Sequence, residues 1–452
     1  MKNTMHRLLL LLTIMFVSAG SYAASSEKTL EADIPNVTAE MRSAGFWIDR
    51  HPYPDKLVMN PSRIEYVNST FVKSGLIEDL AAFSVTYDGE KLKGEIREAY
   101  QPLKKRPLFK ADGAQAPDDL FSKVEEEMDL GALPTSVKPR FGFVISPASE
   151  RLAPTNDLLS VKSGDLDFDE VQNSGLDIAT PVVVLHQGKS GQWVFVKDTI
   201  ASGWVRSDSI VYFSREDVAA YLHRRDIAVV TEPRADIYLD RGMKHYYGTV
   251  RMGARLVLRN PVGRAIEILL PERAGKNTGR MVSGFIARDD VSIGYLSFTP
   301  RAIYRQAFKM LGKPYGWGDA NGGQDCSRFI QMVFATVGLS LPRNSREQGQ
   351  VGLMLDGFKE DLAAEDKAAV IVGDGVGALT LLRLNGHIML YLGDVNEKPY
   401  AIHATWSYRE RTGSGEIQHL LRRVVVTDLD LGAGASKGSL VERIISARVI
   451  ER

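Results

Sequence analysis

The chain has 452 residues, and its 56 Lys and Arg balance 56 Asp and Glu, so no net charge favours nucleic acid or acidic membranes as partners. Hydrophobic residues make up 44%, which is ordinary for folded proteins, and a prior of about 150 residues per domain predicts roughly three domains. The single cysteine excludes an intrachain disulfide framework.

Residues 1–23 are predicted to form a secretory signal peptide. Lys2 and Arg7 precede an apolar run at 8–17, and small residues at 21–23 fit cleavage after Ala23. A membrane-spanning helix is the alternative, but this run is too short for a bilayer core that needs about 20 apolar residues. We therefore expect an exported protein without a membrane anchor after cleavage, with the periplasm favoured over the medium.

Residues 24–135 are predicted to be a helical and irregular N-terminal segment. Within 118–133, Leu120, Val124 and Met128 recur near helical spacing beside acidic residues, which predicts a surface helix. The Pro-rich stretch 50–61 predicts extended chain that wraps over another surface.

Residues 136–214 and 226–297 are predicted to be two small β-barrels. Both stretches contain short β-rich runs with turn residues every 8–12 residues or so. The sequence GWV at 203–205 is echoed by GFI at 284–286, which favours two copies of one barrel, although coincidence between generic strands is the alternative. Residues 214–225 between them predict a linking helix.

Residues 298–452 are predicted to be an α+β domain, because helical stretches precede a set of strands. One helix is predicted just after Cys326 and ends near Gly338, with apolar residues on one face: Phe329, Ile330, Val333, Phe334 and Val337. Cys326 then lies in the first turn, where free N–H groups and the helix dipole stabilise a thiolate.

Two histidines are candidates for the base and the orienting group that a thiol nucleophile requires. His387 and His403 lie on two predicted strands and are equidistant from Val395 in the turn between them. A hairpin in that register places the imidazoles on neighbouring strands, facing each other. Each histidine alone is more often a structural residue, and a lone cysteine a buried bystander, but together they fit nucleophile, base and orienter.

A zinc site is the competing use of these side chains. Zinc takes three or four ligands at tight local spacing, and one cysteine with two distant histidines does not match that pattern. We expect no metal and no organic cofactor.

The motifs PYGWGDANGGQDCSRF, LPRNSREQ, GHIMLYLG and IHATWS resemble the NlpC family (NlpC/P-sixty) of cell-wall cysteine peptidases, whose fold is a papain-like α+β core. The two β stretches and the N-terminal segment resemble one multidomain branch with tandem bacterial SH3-like barrels. The resemblance implies an α+β multidomain protein in which two SH3-like barrels precede the catalytic domain. It also implies hydrolysis of peptidoglycan stem peptides between D-γ-glutamate and the diamino acid, usually diaminopimelate.

Site roles follow from the same resemblance. Carried over by position, Cys326 is the nucleophile, His387 the general base, His403 the orienting residue and Tyr315 an oxyanion donor. The positions expected to contact substrate are Trp317, Asp325, Ser327 and Ser345.

Two residues depart from the family pattern. Arg328 replaces a frequent glycine, and its guanidinium is suited to bidentate binding of a carboxylate. Asn344 stands where relatives that demand a free N-terminal L-Ala often have aspartate, which leaves that demand open. In that branch the first barrel closes one end of the groove, so Asp169 or Glu170 is a candidate for the missing charge; a solvated acidic loop is the alternative.

We expect peptidoglycan stem peptides as the partner, no nucleic acid, and a monomer. Two other functions stay open: a wall-binding scaffold without catalysis, and a thiol amidase or transpeptidase acting on another murein bond. The intact cysteine and histidines argue against the scaffold. The chemical ends of the digestion products distinguish the endopeptidase from the amidase or transpeptidase.

Overall fold

The N-terminal helices pack on two different parts of the chain. The computed structural model describes residues 34–276 and 278–451, so the predicted signal peptide lies outside it. The chain divides into two compact units, 1–36 and 37–452, and every element below belongs to the second. Helices α1 (Ala44–Arg50) and α2 (Pro61–Lys73) join the core of the C-terminal residues through buried side chains that include Trp47 and Phe71.

Helices α3 (Gly89–Tyr100) and α4 (Leu120–Met128) instead contribute to the core of the first β sheet. Helix α4 confirms the predicted surface helix, because Leu120, Val124 and Met128 are its buried residues. Short strands lie between and after them: β1 (Tyr87–Asp88), β2 (Phe109–Lys110) and β3 (Ser136–Val137).

The first β module (residues 140–213) is a seven-stranded antiparallel sheet in the order β11-β4-β8-β9-β10-β5-β7. Its strands are β4 (Arg140–Val144), β5 (Ala148–Arg151), β7 (Gln172–Leu176), β8 (Pro181–Gln187), β9 (Trp193–Lys197), β10 (Ser202–Arg206) and β11 (Ile210–Phe213). The short β6 (Leu159–Ser160) pairs with β2 instead. Strands β7 and β11 are the two edges and do not pair with each other among the described residues, so the sheet stays open.

Helix α5 (Arg215–His223), the predicted linking helix, leads to the second β module (residues 227–293). This module is also a seven-stranded antiparallel sheet, in the order β14-β13-β17-β16-β15-β12-β18. Its strands are β12 (Ile227–Val230), β13 (Arg234–Tyr238), β14 (Tyr246–Arg251), β15 (Arg255–Asn260), β16 (Ala265–Arg273), β17 (Gly279–Ala287) and β18 (Val291–Ile293). Two separate β modules are therefore present, and neither sheet closes into a barrel within the described ranges.

The C-terminal module (residues 300–449) has helices beside a six-stranded sheet, which confirms the α+β prediction. Its helices are α6 (Pro300–Lys309), α7 (Cys326–Ala335), α8 (Ser345–Gln348), α9 (Ala364–Asp374) and α10 (Leu440–Arg443). The sheet order is β19-β24-β20-β21-β22-β23. Its strands are β19 (Leu353–Met354), β20 (Thr380–Leu384), β21 (His387–Val395), β22 (Lys398–Thr412), β23 (Gly415–Asp428) and β24 (Ile444–Val449).

Helix α7 packs across β21 and β22, which brings Cys326 to the sheet. The second β module packs closely on the same helix: Gly253 has φ +82°, and a Cβ there would lie 2.9 Å from the carbonyl oxygen of Met332. Within residues 34–276 and 278–451, every helix is too short or too polar to cross a membrane.

The β21–β22 hairpin has a different register from the predicted one. Its turn consists of residues 396–397, both with positive φ, so the predicted centre at Val395 is wrong. In that register alone, His387 and His403 would face opposite sides of the sheet, because side chains alternate along a strand. A bulge leaves Leu392 unpaired and shifts the pairing of the preceding part of β21 by one residue relative to β22. Both imidazoles therefore lie on the same face of the sheet.

Candidate active site

Cys326 is the first residue of α7, as the sequence predicts. The Asp325 side chain caps the helix by accepting a hydrogen bond from the backbone N–H of Arg328 at 2.8 Å. The sulfur accepts hydrogen bonds from the backbone N–H groups of Ser327 and Ile388, and Ile388 directly follows His387 on β21. Cys326 is only 6% exposed, so its sulfur faces the sheet and not open solvent.

The two predicted histidines form a direct pair. His387 Nε2 lies 2.7 Å from His403 Nδ1, and His403 Nε2 lies 3.1 Å from Thr427 Oγ1 on β23. With Nε2 engaged, Nδ1 is the nitrogen of His387 that can accept a proton. A consistent proton order is then Nε2–H of His387 donating to His403, and Nε2–H of His403 donating to Thr427.

Thr427 is a residue that the sequence analysis missed. His403 pairs across the sheet with Val425, and Thr427 is the diagonal neighbour on the same face. The alternation of residues 425 and 427 could have indicated it, but only once the pairing of β22 with β23 was known.

Burial makes the resting site neutral. Burial, aided by the Asp325 carboxylate, raises the pKa of the Cys326 thiol to about 12, although hydrogen bonding from Ile388 lowers it in part. Burial and the Arg443 cation lower the pKa of His387 to about 3, and burial beside His387 lowers the pKa of His403 well below its usual range. The raised pKa of the thiol does not support the expected thiolate in the free protein, because burial opposes the effect of the helix dipole.

We expect the ultraviolet absorbance of a thiolate to be absent between about pH 4 and pH 8 and to grow only at alkaline pH. The thiol pKa is raised and the His387 pKa is lowered, so neither the anion nor its imidazolium partner forms near neutrality. The difference spectrum against Cys326→Ser isolates this one thiol and removes the tyrosine contribution. Thiolate absorbance at about pH 6 would show a preformed ion pair instead.

Tyr315 stands beside the thiol within an aromatic cluster. Burial, with the neighbouring Cys326 and Asp325, raises the pKa of Tyr315, so its hydroxyl remains a hydrogen-bond donor. Phe168 of the first β module reaches over this tyrosine, with ring centroids 6.3 Å apart. It also lies 5.4 Å from Trp317 and 4.9 Å from Trp406. These half-buried rings form an aromatic wall (Phe168, Tyr315, Trp317, Trp406) at the site.

Arg328 belongs to a buried ion-pair cluster. It is 8% exposed, and its guanidinium pairs with Asp177 of the first β module at 3.3 Å and with Asp319 at 3.4 Å. The expected role in binding a substrate carboxylate is therefore not supported, because both partners already neutralise this cation. Asp177 and Arg328 are 151 positions apart in the sequence, which explains why the sequence analysis did not predict their pairing.

Asp325 and Ser327 are held by Arg343, which is 2% exposed. Arg343 pairs with Asp325 at 2.7 Å and donates to the Ser327 hydroxyl at 3.1 Å, while that hydroxyl donates to Asp325 at 3.0 Å. These contacts fix the start of α7, so both side chains have internal partners where substrate contacts were expected.

The remaining predicted contacts divide between engaged and exposed residues. Asp169 is buried and pairs with Arg151 at 2.9 Å inside its own module, and Glu170 pairs with Arg106. Asn344 is exposed and Ser345, the first residue of α8, is half-buried. Among residues 34–276 and 278–451, no group of three or more His, Cys, Asp or Glu side chains is arranged to hold a metal ion.

Two curated peptidases are similar to part of this chain. A gamma-D-glutamyl-L-lysine dipeptidyl-peptidase of Bacillus cereus is 27% identical over 220 residues, and one of Bacillus subtilis is 24% identical over 221 residues. These matches take in 46% of this chain and 61% and 66% of the relatives, which is less than two thirds of either relative's length.

A solved structure shares the fold. An NlpC/P60 endopeptidase from Photobacterium damselae subsp. piscicida aligns with a TM-score of 0.71 at 18% identity, over 90% of this chain and 95% of that one. The model of the NlpC/P60 family matches residues 312–419, which contain the thiol and both histidines, and the model of the SH3 domain (SH3b1 type) matches residues 159–206. Residues 312–419 of this chain therefore form an NlpC/P60 family domain, and residues 159–206 belong to an SH3 domain of the SH3b1 type.

Proposed function

We propose that this protein is a cell-wall cysteine endopeptidase that cleaves peptidoglycan stem peptides between D-γ-glutamate and the following diamino acid. The observation that carries the proposal is that α7, which begins at Cys326, packs on strand β21, where His387 forms a pair with His403 whose nitrogens are 2.7 Å apart. The names of the two Bacillus relatives favour a γ-D-glutamyl bond. We also propose that the protein acts outside the cytoplasm, where intact peptidoglycan lies.

The first step is acyl transfer to the thiol. Because the resting groups are neutral, the Cys326 proton passes to Nδ1 of His387 as the sulfur attacks the γ-glutamyl carbonyl carbon. The new positive charge on His387 is stabilised by its hydrogen bond to His403, which Thr427 orients in turn. The Tyr315 hydroxyl donates to the developing oxyanion, because its raised pKa keeps it protonated.

The second half returns the thiol. The His387 imidazolium gives its proton to the amine of the diamino acid, which leaves as the C–N bond breaks and a thioester remains on Cys326. Water then attacks the thioester carbonyl while His387 accepts its proton, and the C–S bond breaks. The products are a free γ-carboxylate and the regenerated thiol.

The aromatic wall limits how the peptide enters. Phe168 packs on Tyr315 and Trp317, so the first β module borders the site on this side. Asp169 and Glu170 are paired with Arg151 and Arg106, so neither is free to bind an ammonium group. We therefore propose a site that selects by shape at this end and places little demand on a free N-terminal amine.

Mass spectrometry of a digest of defined muropeptides tests the bond. The expected products are a fragment ending in D-glutamate with a free γ-carboxylate and a fragment beginning with the diamino acid. Comparing the cleavage rates of substrates with diaminopimelate and with L-lysine after D-glutamate measures which diamino acid the protein prefers. A substrate with an acetylated N-terminus is expected to be cut within about tenfold of the free amine, because no unpaired carboxylate of 169–170 faces it.

Other outcomes identify the alternatives. Cleavage of the bond between the sugar and the L-alanine of the stem peptide would identify an amidase. Exchange of one peptide cross-link for another would identify a transpeptidase. Tight binding without any new chain ends would identify a scaffold and overturn the proposal.

A further inference from the structure

A strained loop lies between Tyr315 and Cys326. Gly318, Asp319 and Asn321 have φ values of 55°, 69° and 54°, in the left-handed region. For the two residues that are not glycine this conformation costs about 1 kcal/mol each, so it persists only where neighbouring groups hold it.

The ends of this loop connect to the reacting groups. Tyr315 and Gln324 form a parallel bridge, and the backbone N–H of Gly316 donates to the Gln324 carbonyl at 3.2 Å. The two ends of the loop are therefore paired with each other, one just after Tyr315 and the other just before Cys326. A shift of the loop changes the position of the Tyr315 hydroxyl relative to the sulfur.

The first β module holds the loop at two points. Gln172 donates through Nε2 to the Gly318 carbonyl at 2.9 Å, and the backbone N–H of Gly175 donates to the Asp319 carboxylate at 3.0 Å. A Cβ on Gly318 would lie only 2.7 Å from the Gln172 carbonyl oxygen, so the backbones of the loop and of the first β module are in close contact.

The second β module holds the loop through Arg251 at the end of β14. This guanidinium pairs with Asp319 at 3.1 Å and with Asp177 of the first module at 3.0 Å, and it donates to the Gly175 carbonyl at 2.8 Å. One side chain thus joins three modules. Arg251 is 9% exposed, so these contacts lie away from solvent, where charge-assisted bonds are strong.

We propose that Arg251 is a positioning residue for catalysis, acting through Asp319 to hold Tyr315 at the distance from Cys326 that the oxyanion requires. The second β module is then part of the catalytic apparatus. The inference rests on the proposed function, since it assumes that Cys326 and Tyr315 act on a carbonyl.

Steady-state kinetics of Arg251→Lys in the full chain tests this role. Lysine keeps the charge but cannot make the forked contacts to Asp177, Gly175 and Asp319 together. We expect kcat to fall about 10- to 100-fold with KM within about twofold, because the oxyanion contact exists only in the transition state. In a Tyr315→Phe background, Arg251→Lys is expected to cause little further loss.

Alkylation of Cys326 by iodoacetamide separates positioning from unfolding. A positioning role leaves the alkylation rate within about twofold, whereas a loosened fold exposes the buried thiol and accelerates it. Arg259→Gln is the matched control, because Arg259 is a half-exposed cation of the same module that pairs with Glu267 and donates to Ser283.

Three results would overturn the inference alone: an unchanged kcat in Arg251→Lys, a full multiplicative loss in the Tyr315→Phe background, or faster alkylation that accounts for the lost rate. Absence of turnover by the native chain would instead remove the proposed function, and this inference with it.

Discussion

Cys326→Ser and His387→Gln are each expected to lower kcat on a muropeptide by at least about 10⁴-fold. The serine hydroxyl is a far weaker acid than a thiol, and the lowered pKa of His387 makes this imidazole a weak base that cannot activate it. The glutamine variant retains the thiol but loses the group that accepts its proton. Because both residues serve one proton transfer, the double variant is expected to be about as inactive as either single variant.

Stopped assays with product quantification by mass spectrometry measure these losses. His245→Gln is the control, because that imidazole is 77% exposed and belongs to the second β module. If Cys326→Ser kept more than a few per cent of native turnover, the thiol would not be the nucleophile. If the two single losses multiplied in the double variant, the residues would act in separate steps.

Asp319→Ala is expected to cause the largest loss of stability, about 3 to 5 kcal/mol. Asp319 pairs with Arg251, Arg328 and Arg343, and its side chain is fully buried, so alanine leaves three cations without their shared anion. The expected result is a shift of urea unfolding to lower concentrations at neutral pH.

Acidity should remove the same stabilisation in the native chain. Burial alone would raise the pKa of Asp319, but the three guanidiniums, Arg343 foremost, lower it to about 2. An unfolded aspartate has a pKa of about 3.9, so the stabilisation is present above about pH 4 and is lost as the pH falls toward 2, amounting to about 2 to 3 kcal/mol. The difference in the free energy of unfolding between the native chain and Asp319→Asn should therefore be smaller at pH 3 than at pH 7. If the difference in unfolding free energy were equal at pH 7 and pH 3, the loss of stability would come from the changed packing and not from the lost charge. Asp374→Asn, which changes an exposed carboxylate, is the control.

The features that sequence predicted correctly depend on local physics. The helix start at Cys326 follows from helical periodicity and from Asp325 as a cap, both encoded within a few residues. The pairing of His387 with His403 was predicted from a wrong register and is restored by the bulge at Leu392. Turn geometry and bulge together decide the register, and neither leaves an unambiguous local signal.

The features that were missed depend on contacts between distant segments. Phe168 meets Trp317 and Trp406 only because the first β module folds back over the site. Arg328 looked available for a substrate because Asp177, its partner, lies far away in the sequence. The likeness to a family suggested residues for the chemistry but gave no indication of the ion pair that holds Arg328.

The junction of Asp177, Arg251 and Asp319 restricts how such a protein can diverge by recombination. A chimaera that received a foreign β module without its partner residue would leave the buried charges of this junction one counter-ion short. These modules are therefore expected to be inherited as a linked set, and laboratory grafts should transfer residues 177 and 251 together.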